Sequence, residues 1–148
     1  MSVQNLEIDN QHKEWLRIMN TLHETILGHD PLAQRTATKT ALDAMAEYTS
    51  THFRSEEEYM REIKYTDQVH HRRLHKNFDS LIYKLRRDVQ TGRLVLNSDV
   101  ISLLKNWLID HIAVEDQKYA RFSTETNSSE GSDQLHLNFL DSPRIGLT

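Results

Sequence analysis

Apolar side chains recur along this chain at steps of three and four in four separate stretches, the period of helices with one buried face. The first stripe runs Ile8, Trp15, Met19, Leu22, Ile26 and predicts a helix from a cap at Asp9 to about Gly28. Pro31 suits the opening turn of a second helix, expected from about Leu32 to Ile63 with Ala41, Met45, Tyr48, Tyr59 and Ile63 on its buried face. Tyr65-Thr66-Asp67 breaks the pattern and offers Thr66 or Asp67 as the cap of a third helix. That helix carries Phe78, Ile82, Leu85 and Val89 and stops at Gly92. Asn97 or Ser98 caps a fourth, which runs through Ile101, Leu104 and Leu108 to about Phe122.

Four amphipathic helices joined by short connections predict an all-α fold, an antiparallel up-down-up-down four-helix bundle with a C-terminal extension. The bundle is expected over residues 1–122, and residues 123–148 form a polar, flexible tail. The tail opens on Ser-Thr-Glu-Thr-Asn-Ser-Ser-Glu, a composition that cannot bury a core, and later holds the short apolar patch Leu135–Leu140.

Polar residues interrupt the stripes where apolar ones belong. They are His12, His52, Glu56, His71, His75, His111 and Asp116, spread over all four helices. An imidazole or carboxylate in a bundle core costs several kcal/mol unless something pairs it, so seven of them imply a cation among them. Residues four apart share a helix face, so His52 with Glu56 and His71 with His75 can each approach one metal region. His111 and Asp116 are five apart and lie roughly 140° from each other on an ideal helix. They converge only through a π-type turn or an obliquely reaching Asp116.

With no cysteine in the chain, a thiolate zinc site is excluded, and imidazole plus carboxylate suits iron. Seven ligands are too many for one ion. Two metals bridged by Glu56, Asp116 and a solvent-derived oxo or hydroxo group give six ligands on one and five on the other, leaving one position open. Two ferrous ions then keep net positive charge against two carboxylates and a hydroxide, a balance that stabilises the reduced pair. A net charge of −4 without a basic run argues against nucleic acid as partner. No apolar stretch reaches the roughly 20 residues that span a bilayer, so no membrane insertion is expected. The first residues have no signal-peptide pattern, which makes the cytoplasm the expected location. The charged outer faces suggest a monomer.

Several motifs together resemble the hemerythrin family, specifically single-domain bacteriohemerythrins. Ile8-Asp9-Asn10-Gln11-His12-Lys13 and His52-Phe53-Arg54-Ser55-Glu56-Glu57 resemble its first two helix motifs. His71-x-x-x-His75-x-x-Phe78 and Trp107-Leu108-x-x-His111-Ile112-x-x-x-Asp116 complete the set, so the likeness covers about residues 6–122. The resemblance implies that His71, His75 and His111 hold a saturated iron, His12 and His52 hold the iron with the open position, and Glu56 and Asp116 bridge. It implies O2 as the ligand at that position, with Phe53, Trp107, Leu108 and Ile112 lining its pocket. The chain departs from many relatives in having Lys64 and Thr66 where they have Gly and Pro, and in a short N-terminal segment.

Other polar residues are assigned elsewhere. His23, His29, His70 and His136 are read as solvated, and Glu57 and Glu58 as surface, with Glu57 able to support a ligand. Tyr48, Tyr59 and Tyr119 are core aromatics that could bond a ligating side chain. The expected function is reversible O2 binding for storage, transport or delivery, not enzymatic turnover. One alternative is an O2 or redox sensor coupled to a signalling or O2-consuming protein partner. The other is a weak di-iron redox enzyme, a peroxidase or NO reductase.

Overall fold

The computed structural model describes residues 1–28 and 30–140, with side chains through residue 129. His29, the side chains of His136 and the Leu135–Leu140 patch, and residues 141–148 lie outside the described residues. Helix α1 spans Leu6–Leu27, α2 Pro31–Glu62, α3 Gln68–Gln90 and α4 Ser98–Asp110. A π-helical turn, His111–Glu115, joins α4 directly to α5, Asp116–Leu140, so the three form the fourth rod of an antiparallel bundle. α1 packs on α2 and α4, and α2 packs on α3.

The start of α1 differs from the expected cap at Asp9. Asn5 is the cap: its side chain accepts from the Ile8 N–H at 3.2 Å, one turn earlier. Asp9 is free to face the N-terminal residues instead, accepting from Ser2 Oγ at 2.6 Å and from the Val3 N–H at 2.8 Å. Asn97 is the expected cap of α4, while Asp67 precedes α3 without a side-chain cap bond. Asp30 caps α2 ahead of Pro31, and Asn97 caps α4 through the Val100 N–H.

The core has two parts. The larger gathers Trp15, Met19, Leu22, Leu42, Met45, Phe53, Phe78, Ile82, Ile101, Leu104 and Leu108 along most of the bundle's length. The smaller, formed by Val3, Ile8, Met60, Tyr65, Tyr119 and Ala120, closes one end. The short N-terminal segment thus seals that end with Val3, which is fully buried. On α2 the deepest positions are Leu42, Met45, Thr49, His52, Phe53, Glu56 and Met60. Ala41, Tyr48, Tyr59 and Ile63 sit on its flank, half-buried, because the helix packs against neighbours on two sides.

α5 continues to Leu140, past the Phe122 end and the tail expected from Ser123. Its Ser/Thr run bonds back onto the helix: Thr124, Thr126 and Ser128 hydroxyls donate to the carbonyls of Ala120, Phe122 and Thr124. Among the described residues no helix is long and apolar enough to cross a membrane.

Two helices end in the same way with different residues. After α3, Gly92 takes φ 71, and the Arg93 N–H reaches the Asp88 carbonyl at 2.9 Å. After α2, Lys64 takes φ 56, and the Tyr65 N–H reaches the Met60 carbonyl at 2.8 Å. This is a six-to-one helix stop that suits glycine, and a Cβ in the left-handed region costs about 1 kcal/mol. Lys64→Gly should therefore stabilise the protein by roughly 0.5–1 kcal/mol, read as a higher urea midpoint at unchanged m-value. An unchanged or lower midpoint would show that the exposed lysine repays the strain elsewhere.

Candidate metal centre

Each helix delivers its predicted ligands to one buried locus. His12 comes from α1; His52 and Glu56, one turn apart, from α2; His71 and His75, one turn apart, from α3. All seven side chains are at most 4% exposed. The pair that ideal helix geometry separates is brought together by the π turn. There the Asp116 N–H bonds the His111 carbonyl, five residues back, and the wider turn swings Asp116 onto the His111 face. His111 Nε2 lies 3.1 Å from Asp116 Oδ1.

The two carboxylates sit between two groups of imidazoles. Glu56 Oε1 is 3.3 Å from His12 Nε2 and 3.4 Å from His52 Nε2, while Oε2 is 3.1 Å from His75 Nε2 and 3.7 Å from His71 Nε2. Asp116 Oδ2 is 3.1 Å from His12 Nε2, and Oδ1 is 3.2 Å from His71 Nε2. Each carboxylate therefore turns one oxygen to the His12 side and the other to the His71 side. Ligand atoms of Glu56, His71, His75 and His111 lie within 4.8 Å of one another, as do those of His12, His52, Glu56 and Asp116.

The chemistry of the donor set is that of a cation site. Several of these contacts are close without the alignment of a hydrogen bond. His52 Nε2, His71 Nε2, Glu56 Oε2 and both Asp116 oxygens are buried without a hydrogen-bond partner. Such atoms each cost about 1–3 kcal/mol unless an ion satisfies them. His75 Nε2 and His111 Nε2 face each other at 3.1 Å. The residues fit a pair of divalent cations.

Outer partners fix the ring orientations. His52 Nδ1 meets Gln11 Oε1 at 2.8 Å, and Gln11 Nε2 donates to Ser55 Oγ at 3.1 Å. His75 Nδ1 meets Glu57 Oε1 at 3.1 Å, and Arg72 Nε holds the other Glu57 oxygen at 3.3 Å. Glu57 thus supports a ligand, while Glu58 is exposed. Of the three tyrosines, Tyr119 touches the site, its hydroxyl donating to Glu56 Oε1 at 2.9 Å. Tyr48 donates to the Gln11 carbonyl and Tyr59 to Ser123. Sequence reasoning gave no role to Gln11 or Ser55. Their signal is positional: Gln11 precedes His12, and Ser55 lies one turn from Thr51 on the flank of α2. His70 is exposed as expected, but His23 is half-buried and bonded to Ser98 Oγ at 2.9 Å.

Aromatic rings pack one side of the site. Phe53 stacks on His75 with centroids 3.7 Å apart, Trp107 on His111 at 4.6 Å and Phe78 on Trp107 at 3.9 Å. Of the four residues expected to line a ligand pocket, Phe53, Trp107 and Leu108 lie in or against the main core. Ile112 belongs to the same core and also borders a cleft that reaches His12.

Burial opposes protonation of His12 and His71, but the carboxylates of Asp116 and Glu56 outweigh it and raise both pKa values to about 9. Burial likewise pushes Glu56 and Asp116 up, and the surrounding imidazoles hold both below the usual carboxylate range. His52, where burial dominates, falls to about 4. Without metal, the two carboxylates thus favour protonation of the imidazoles beside them, and His75 is raised as well.

A family model, the hemerythrin HHE cation binding domain, matches residues 6–122. The chain belongs to the hemerythrin family. It is 33% identical to a bacteriohemerythrin of Stenotrophomonas maltophilia over 113 residues, 76% of this chain and 71% of that one. It is 30% identical to a bacteriohemerythrin of Methylococcus capsulatus over 111 residues, covering 75% and 82%. A wild-type hemerythrin crystal structure superposes with a TM-score of 0.71 at 28% identity, over 78% of this chain and 86% of that one. A hemerythrin domain implies a di-iron site, and this chain's clustered donors meet that requirement.

The shifted groups dictate how the metal-free protein responds to pH. His12 and His71 contribute stability in full below about 6.5, lost as pH rises through about 9. Glu56 and Asp116, being depressed, contribute above their ordinary values of 4.5 and 3.8 and lose that as pH falls. The metal-free chain should be most stable at mildly acidic pH and weaken on both sides. At neutral pH metal loading should expel protons from the raised imidazoles, seen as buffer-dependent heat in titration calorimetry. Heat that is the same in buffers of different ionisation enthalpy would contradict this charge balance.

Proposed function

We propose that this hemerythrin domain binds O2 reversibly at a pair of iron ions held by His12, His52, Glu56, His71, His75, His111 and Asp116. The observation that carries it is the opposed orientation of the carboxylate oxygens, one of each pair facing His12 and the other facing His71. In this reading His71, His75 and His111 would hold one iron and His12 and His52 the other, with Glu56 and Asp116 reaching both and an oxo or hydroxo group completing the set. When bound, the iron pair supplies one open coordination position, on the His12 and His52 side, and the electrons that O2 binding draws on.

The chain's own residues do the rest. Gln11 and Glu57 accept from the Nδ1–H of His52 and His75, which turns both Nε2 lone pairs inward. Tyr119 gives its proton to a hydrogen bond with Glu56 Oε1, and burial beside two carboxylates pushes its pKa far up, so it stays protonated. Tyr119 is thus held as a hydrogen-bond donor to Glu56 instead of standing as a free acid at the site. Bacteriohemerythrins among the relatives support the same reading.

One observation favours a sensing role for the same site. α5 runs unbroken from the ligand Asp116 to Leu140, beyond residue 122 where the family match ends. A shift at Asp116 would be carried along that helix to an attached or docked signalling partner.

Anaerobic loading should give two ferrous ions per chain in a colourless protein. Air should then raise a visible charge-transfer band that bleaches under argon. His75→Ala should remain helical but hold about one iron fewer, with a lower melting temperature once loaded. Two bound irons without a reversible band would count against O2 carriage. A band lost within minutes would favour sensing over carriage.

A further inference from the structure

The cleft beside α1 is the most specific feature that the ligand set does not explain. It encloses about 320 Å³, and His12 is accompanied in its lining by Met1, Ser2, Asp9, Lys13, Leu16 and Ile112. Leu16 and Ile112 make apolar walls, and the N-terminal residues form a lip. That lip is a strap tied down at several points. Ser2 Oγ donates to Asp9 Oδ2 at 2.6 Å and the Val3 N–H to Asp9 Oδ1 at 2.8 Å. The Gln4 N–H donates to Ser2 Oγ at 3.0 Å, and Gln117 Nε2 on α5 donates to the Ser2 carbonyl at 3.1 Å. Val3 is wholly buried against the end cluster, and Gln4 takes a left-handed φ of 59 to let the chain turn between strap and helix.

Both Asp9 oxygens are taken up by strap donors, and Asp9 sits one turn before His12 on α1. The opposite side of the site is packed with stacked rings. We infer that this cleft is the route by which small ligands reach the metal on the His12 side, and that Asp9 sets its width by pinning the N-terminal strap. The inference rests on the proposed di-iron reading. Asp9 acts through the strap and is a positioning residue; Leu16 narrows the route directly.

Two substitutions should move ligand entry in opposite directions. Asp9→Ala releases the strap and should speed azide binding to the oxidised, iron-loaded protein roughly ten-fold in stopped flow. Leu16→Phe fills the cleft and should slow it by a similar factor at equal iron content. Asp9→Asn, whose side-chain oxygen still accepts from the Val3 N–H, should restore much of the wild-type rate. In the metal-free chain, Asp9→Ala should raise amide hydrogen exchange at Val3 and Gln4 while leaving α3 protected. General loosening of the bundle would speed entry in both variants, so opposite shifts identify the route. Rates unchanged in both variants at full iron content would overturn this inference and leave the di-iron reading standing. A wild-type chain that takes up no iron would overturn both.

Discussion

Two carboxylates buried in the middle of the bundle organise this protein. Glu56 and Asp116 are fully buried, and an isolated carboxylate in such a place would be driven to protonate. Five imidazoles from all four rods surround them and hold them ionised instead. The arrangement is self-consistent only with positive charge at its centre, whether imidazolium protons or metal ions. Every helix is committed to that centre, so the register of each against its neighbours is set by where its histidine must arrive. Buried ion networks are weak sources of net stability. The energy comes from the flanking cores, with Trp15, Met19, Phe78 and Leu104 on one side and Met60, Tyr65 and Tyr119 on the other.

The π turn shows how strictly that commitment is met. A straight α-helix would point Asp116 away from His111, and the chain accepts a rarer hydrogen-bond pattern over His111–Glu115 to bring it back. A local departure from the best backbone geometry is what satisfies the ligand set. The same turn places the start of α5, so the ligand Asp116 and the long C-terminal rod are mechanically one element.

Most of this was legible in the sequence because its signals are periodic. Ligands that replace apolar residues at steps of three and four reveal both the helix and the face, and the five-residue gap between His111 and Asp116 announced a π turn or its equivalent. Features that depend on a single competing contact were not legible. Asp9 and Asn5 are both good caps, and the choice turned on Ser2 and Val3 coming back to claim Asp9. Gln11 and Ser55 carry no pattern of their own; they matter because α1 and α2 bring them together. The Ser/Thr run after Phe122 reads as a poor helix former, yet its hydroxyls bond to carbonyls one turn back and α5 continues through it. Propensity was overridden there by growth from a helix already nucleated upstream.

The site is lopsided in its packing as well as in its ligands, and the two asymmetries point the same way. On the three-histidine side, Phe53 and Trp107 lie flat on His75 and His111, and Phe78 backs Trp107. Flat aromatic contacts at such spacing leave no room for a further ligand and resist displacement of either imidazole. On the two-histidine side, His12 meets His52 edge-on at 4.7 Å and borders a cleft walled by Leu16, Ile112 and a strap of a few residues. A vacancy left by ligand count alone could be closed by water or a neighbouring side chain. In the proposed di-iron reading the count and the packing point to the same side, where Leu16 and Ile112 form apolar walls and the covering segment is held largely by hydrogen bonds. In that reading, the coincidence makes an accessible position a property of the fold as well as of the proposed metal pair.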